Sequence, residues 1–316
     1  MVGVIVRRLG LSVLALLLVS FVLMALTQAI PESPARAVLG SDATIEQIHD
    51  FEHAHGLDRP MPIQYVAWLD ELVLHGSLGT SLVTGLDMNQ RVMAMLPTTL
   101  ELVVAAFCFA VVLSLLLGLL SALNENTWID HAARVFAVAG VSIPGFWLAL
   151  VLVIALTVDN DWFPPGGISP LSDGLIDHLL SLVLPGFCLG IFYTAILSRM
   201  TRSSLLEVLG TDYIRTARAT GLSRPLILIY ALRNALVPVV TVAAMSFGYM
   251  FGWALIIETV FNIPGMSAAL LVGINQRDFA MVRAVVFVLT LVFLLANLIA
   301  DLLNAWLNPR LRRALK

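Results

Sequence analysis

Long apolar runs separated by short polar breaks dominate the chain. Six runs are long enough for a helix to cross roughly 30 Å of hydrocarbon: residues 9–29, 98–123, 135–158, 179–198, 235–257 and 284–306. Glu101 and Asp301 are the only charges inside them, each near an end. The pattern predicts an all-α integral membrane protein with six transmembrane helices.

Two stretches between the runs carry helical patterns of their own. In the long polar segment 31–96, residues 44–55 read as a helix capped by Asp42 or Thr44 and ended by Gly56. Residues 64–74 read as a second, with Tyr65, Leu69 and Leu72 on one face. The segment is therefore expected to fold as a small extracytoplasmic helical piece. After the fifth run, residues 266–278 are too few to span twice, which predicts a re-entrant or interfacial dip.

The polar interruption 199–233 carries six arginines (Arg199, Arg202, Arg215, Arg218, Arg224, Arg233) against Glu207 and Asp212. Leu206, Leu209, Tyr213 and Ala217 recur at helical spacing, with Glu207, Thr211, Arg215 and Arg218 opposite. That predicts one amphipathic helix, closed by the small residues Ala217, Ala219 and Gly221. A second short helix is expected after it, with Ser223 as cap and Pro225 in its first turn.

Composition sharpens this picture. The chain is 59% hydrophobic and 12% charged, with mean hydropathy +0.93, whereas soluble domains carry about 25% charged residues. Basic residues cluster on one side: Arg7, Arg8, Arg134, the six loop arginines, and Arg310, Arg312, Arg313 and Lys316. The positive-inside rule puts that side, with both termini, in the cytoplasm of a cytoplasmic (inner) membrane. The segment 31–97 is acidic and external, and the run 9–29 is read as an uncleaved first helix.

Several chemistries are narrowed by counting. The one lysine is Lys316, so no GxxxxGK[ST] phosphate loop exists and any ATP must be bound by another chain. Cys108 and Cys188 both fall inside spans, which argues against a disulfide framework. His49, Glu52 and His53 fit the HxxEH spacing of a zinc protease, but nothing supplies a further ligand, and a solvated helix face is the simpler reading. An ion-driven transporter would need carboxylates or histidines deep in the spans, and these are absent. In the fifth run, Gly248 and Gly252 have the GxxxG spacing that admits a neighbouring helix, while Ser246, Tyr249, Trp253 and Glu258 are candidates to line a path across the membrane.

The loop sequence YIRTARATGLS from Tyr213, followed by ALRNALVPVVT from Ala231, resembles the cytoplasmic loop of permease subunits of bacterial ABC importers of the dipeptide, oligopeptide and nickel branch. The similarity continues through GLDRP at Gly56, SLGTS at Ser77, LPTTLEL at Leu96, ETVFNIPG at Glu258 and QRDF at Gln276. It implies a type I importer fold, with 1–30 the first helix, 31–96 the extracytoplasmic segment, 97–306 the transmembrane domain containing the coupling loop 199–236, and 307–316 a cytoplasmic tail.

The resemblance also implies a non-catalytic pore subunit with no cofactor of its own. Its partners would be a second permease, one or two ABC ATPases carrying ATP and Mg, an extracytoplasmic binding protein and membrane lipid, with no nucleic acid. The cargo would be short peptides, with nickel or glutathione-like solutes the alternative. ATPase coupling would fall to Glu207, Asp212, Tyr213, Arg215, Ala217, Arg218 and Gly221. Phe261, Pro264, Gly265, Arg277 and Asp278 would form an external gate or binding-protein contact. Arg215 stands where the general coupling motif has glutamate, and Tyr230 where a histidine is expected.

Overall fold

The apolar runs fold as helices in the computed structural model, which describes residues 2–28, 34–40 and 42–307, and their side chains except at 2–6, 301 and 303–307. The basic tail residues Arg310, Arg312, Arg313 and Lys316, and the acid Glu32, lie outside the described residues. Helices α1 (Val2–Gln28), α2 (Pro34–Leu39), α3 (Ile45–Ala54) and α4 (Met61–His75) precede the long helix α5 (Met88–Leu123). Then follow α6 (Trp128–Ser142), α7 (Gly145–Leu152, continued by a wider turn Val153–Val158), α8 (Leu175–Leu209) and α9 (Asp212–Ala219). The chain closes with α10 (Arg224–Val260), α11 (Met266–Asn275) and α12 (Phe279–Leu307). Among the described residues, five helices are long and apolar enough to cross a membrane, and six if α6 and α7 count as one bent span.

The third apolar run is not one rod. It bends by 101° between α6 and α7, at Ile143-Pro144. The Pro144 ring disfavours helical geometry at Ile143, whose backbone is extended. The amphipathic stripe of the polar loop is likewise split. α8 ends at Gly210, α9 starts at Asp212, and the buried anchor is Ile214, while Tyr213 is exposed. Ser223 and Pro225 open not a short helix but the 37-residue α10, which runs on into the fifth span.

The described chain divides into two units. One comprises Val2–Thr99 and Pro264–Leu294. Here Thr44, one of the two expected caps, forms a capping box with Gln47 at the start of α3, and α4 ends at left-handed Gly76. α4 is fixed to α1 by Tyr65, whose hydroxyl donates to Leu17 O at 2.9 Å and meets Ser20 Oγ at 2.9 Å, with the Phe21 ring packed edge-on. Trp68 packs edge-on against Phe287. Met88, Val92, Met266, Met281 and Val285 form the core of this unit. The buried Thr99 hydroxyl accepts the first N–H of α11, from Met266, at 2.8 Å, satisfying a donor that the helix leaves free.

The other unit is built on Leu100–Ile263. Its closest helix approach falls on glycines. A Cβ on Gly190 of α8 would stand 2.6 Å from Ala106 O of α5, and one on Gly118 of α5 would stand 2.6 Å from Thr201 Cβ. Gly186 and Gly190 form a GxxxG pair, so this pair, and not Gly252, meets a neighbouring helix within the chain: a Cβ on Gly252 meets nothing within 4 Å.

Replacing Gly190 with Ala is therefore expected to cost about 1–3 kcal/mol by overpacking, whereas Gly252→Ala changes stability by less than about 0.5 kcal/mol. Denaturant titration of the detergent-solubilised chain measures both. Equal stabilities of the two variants would contradict this packing.

Candidate functional site

The polar loop sits on a seat made by three long helices. Ile214 of α9 is fully buried with Ala122 of α5, Leu205 of α8, and Ile227, Ala231 and Ala235 of α10. Ser204 Oγ donates to Ala235 O at 2.8 Å, tying α8 to α10 beside the seat. Asn234 Nδ2 donates to Tyr213 Oη at 2.9 Å and fixes the exposed ring.

The turn after α9 needs glycine for its backbone and not for space. Gly221 has φ +81°, and a Cβ there would meet nothing within 4 Å. Its N–H donates to Arg218 O at 3.1 Å, and the Leu222 N–H to Ala217 O at 3.2 Å, closing the helix end. Glu207 lies on α8, on the other side of the break at Gly210, and the remaining coupling candidates lie on α9 or its closing turn. Asp212 and Arg215 pair at 3.0 Å, but both are exposed, so the pair adds little to stability. α9 thus offers Arg215 and Arg218 on one side and the Tyr213 ring on another, all exposed, to whatever docks there.

A buried carboxylate, Asp130, anchors this seat, and sequence reading did not single it out. Asp130 is fully enclosed at the start of α6. Arg202 of α8 grips it with two parallel bonds, Nε to Oδ1 at 2.8 Å and Nη2 to Oδ2 at 2.9 Å. Ser121 Oγ of α5 donates to Oδ1 at 2.5 Å, and the Asn126 N–H to Oδ2 at 3.0 Å. Asn126 adopts φ +62° to deliver that N–H, a conformation asparagine tolerates better than most residues. Arg134 stands 3.5 Å away on the exposed side.

Asp130 lies in the polar link between spans. Its carboxyl is held well below the usual carboxylate range, first by the Arg202 hydrogen bonds and then by Ser121 and the Asn126 N–H, against the opposing effect of burial. Because the folded value is depressed, the stabilisation is fully present above about pH 4 and is lost only in strong acid. The signal missed in the sequence was an acid opening an apolar helix, matched to an arginine 72 positions away.

The path candidates on α10 divide by exposure. Tyr249 and Trp253 are exposed, at 54% and 56%, and one turn apart, whereas Ser246 is buried and donates to Val242 O at 2.8 Å. Glu258 is fully enclosed. Trp253 lines a largely apolar cavity of about 350 Å³ at the bend of the third span, with Pro144, Phe146, Cys188 and Tyr193. The Tyr193 hydroxyl, on a residue of its wall, is buried with no hydrogen-bond partner among the described residues.

The gate candidates split between the two units. Phe261 is buried at the end of α10, where its carbonyl accepts the Gly167 N–H at 2.8 Å, and a Cβ on Gly166 would stand 2.7 Å from that oxygen. In the other unit Pro264 is exposed, Gly265 precedes α11, and Arg277 takes φ +57°. Asp278 caps α12, accepting from Met281 N–H at 3.2 Å and from Ser81 Oγ at 2.5 Å. His49 and His53 lie exposed on α3, and no group of three or more His, Cys, Asp or Glu converges on a metal-sized site among the described residues.

Comparison with known proteins bears on this geometry. A family model described as binding-protein-dependent transport system inner membrane component matches residues 114–313, and the N-terminal model of such membrane components matches residues 1–103. The dipeptide transport system permease protein DppB of Alkalihalophilus pseudofirmus is 35% identical over 97% of this chain and 98% of its own length. The di/tripeptide transport system permease protein DppB of Pseudomonas aeruginosa is 36% identical over 99% of each. The glutathione transport system permease protein GsiC of Pectobacterium atrosepticum is 35% identical over 97% of each. Among solved structures, the MetNI methionine ABC transporter in an inward-facing conformation matches with TM-score 0.57 and 18% identity, over 70% of this chain and 98% of that one, a likeness of fold.

Asp130→Ala and Arg202→Ala are each expected to destabilise the chain by about 3 kcal/mol, because each leaves a charge without its partner. The double variant should cost clearly less than the two together. A double-mutant cycle by denaturant titration in mild detergent measures the coupling, and strict additivity would contradict the network.

Proposed function

Because the chain belongs to the family of binding-protein-dependent transport system inner membrane components, a family of multi-pass permeases, we propose that it forms the pore of an ATP-driven importer of short peptides. The observation that carries the peptide reading is its near full-length similarity to permeases named for dipeptides and tripeptides. In this reading the chain is not itself an enzyme. ATP and Mg are bound by separate ATPase subunits, a second permease completes the pore, and an extracytoplasmic binding protein delivers the cargo. The membrane is the cytoplasmic one, with both termini and the 199–233 loop on the cytoplasmic side, a reading supported by the arginine distribution.

The chemistry of coupling follows from the seat. α9 presents exposed Tyr213, Arg215 and Arg218 to an ATPase groove, while Ile214 and the Tyr213–Asn234 bond tie it to the ends of α8 and α10. Closure of the ATPases on ATP moves α9, and the seat passes that displacement into two spans as a rigid-body shift. Cargo moves because ATP changes the population of two states through contacts that differ between them. Tyr249, Trp253 and the unpartnered Tyr193 hydroxyl are the side chains proposed to meet the peptide on its way.

Proteoliposomes containing both permeases, the ATPases and the binding protein should accumulate a labelled tripeptide only with hydrolysable ATP. Gly221→Pro demands a φ near −65° where +81° is found and removes the N–H donated to Arg218 O. It is expected to lower uptake at least tenfold while ATP hydrolysis persists. Uptake without ATP, or wild-type coupling in the variant, would contradict the proposal.

A further inference from the structure

The unit made by Val2–Thr99 and Pro264–Leu294 contains a cavity of about 580 Å³, touched by the gate candidates Arg277 and Asp278 but otherwise outside the roles above. It is walled by the end of α1, α3, α4, the 79–83 turn and the start of α12. Its size falls within the roughly 300–1,000 Å³ of small-ligand pockets. Unlike the apolar cavity at the bend of the third span, it is lined by charges of both signs: Arg59, Arg277 and Arg283 with Glu52, Glu71 and Asp278.

Arg283 is the anomaly in this wall. It lies one turn into α12, half-buried, and its Nε is sealed from solvent with no hydrogen-bond partner. Asp278, five residues before it in the chain and on the same wall, is already committed: one oxygen accepts the Met281 N–H and the other the Ser81 hydroxyl. A guanidinium carries five donors in a fixed fork, and leaving even one of them, here Nε, without an acceptor away from bulk water is costly. The group that matches this fork is a carboxylate, gripped through two parallel bonds. Apolar surface beside it, from Met24, Trp68, Leu82 and Val83, suits an uncharged side chain. Exposed Glu71 supplies the opposite charge on the same wall.

We propose that this cavity is a second binding site, for the C-terminal carboxylate of a short peptide, with Arg283 as the group that holds the carboxylate. The peptide identity rests on the function proposed above, while the carboxylate chemistry rests on Arg283 alone. A site at these ends of α1 and α12 would hold free cargo on the permease before or after its passage through the binding protein.

The test uses the assembled transporter in lipid nanodiscs, without the binding protein, with tri-alanine, its C-terminal amide and acetate as probes in equilibrium binding. The acid form should bind, the amide at least tenfold more weakly, and acetate should compete. Arg283→Met should lose the tri-alanine difference between acid and amide, while Arg283→Lys keeps most of it. The acid–amide comparison is made on the wild-type protein and so does not depend on any variant folding. Equal binding of acid and amide, or unchanged binding in Arg283→Met, overturns the site. If acetate binds in an Arg283-dependent way but no labelled peptide is taken up by the reconstituted transporter, the carboxylate site stands and the peptide reading of the transporter falls.

Discussion

A carboxylate sealed from water at the edge of a membrane persists only when every lone pair is taken, and Asp130 meets that condition with donors from three places in the chain. Ser121 comes from the end of α5, Asn126 from a turn held in a left-handed conformation, and Arg202 from α8. Remove one donor and a charge is left stranded, so the three elements are fixed together or not at all. α8 then leads within one turn to Leu205 and the seat of α9. The polar loop is therefore mounted on a fixed corner of the permease and is not a free hairpin.

Close approach elsewhere in the same unit has the same effect. Gly118 and Gly190 let α5 and α8 meet backbone to backbone, and in a membrane such contacts take over from the hydrophobic effect, which lipid largely cancels. A displacement applied at α9 has few soft places in which to dissipate. One is the bend at Pro144, where the apolar cavity opens beside Trp253 and Tyr193. The proposed cargo path and the proposed lever thus meet on elements packed directly against α8.

The spans were legible because an uninterrupted apolar run has few other uses, and the cap at Thr44 and the glycine at Gly56 placed α3 within a residue of its observed ends, whereas α4 starts at Met61, three residues before the helix read from 64. The bend in the third span was not legible, since residues 135–158 stay apolar across Pro144 and hydropathy does not register geometry. The stripe from Leu206 to Ala217 misled for a related reason: Leu206 and Leu209 pack inward from α8, and Gly210 resets the phase, so Ile214 takes the buried position that Tyr213 seemed to hold. Asp130 escaped notice because one acid among polar link residues looks solvated, and only the fold brings Arg202 to it. The GxxxG at Gly248 was noticed and the one at Gly186 was not, though only the neighbouring helix distinguishes them.

The claim on which these points converge is that the polar loop and the α5–α6 turn form one rigid body. Spin labels at Thr216→Cys on α9 and Glu125→Cys on the turn, in a chain with Cys108 and Cys188 replaced, report that distance in the assembled transporter. The account predicts a distance that stays within the roughly 1–2 Å of a small helix adjustment between the nucleotide-free and ATP-bound states. A shift of several ångströms, or a broad distribution in either state, would contradict it.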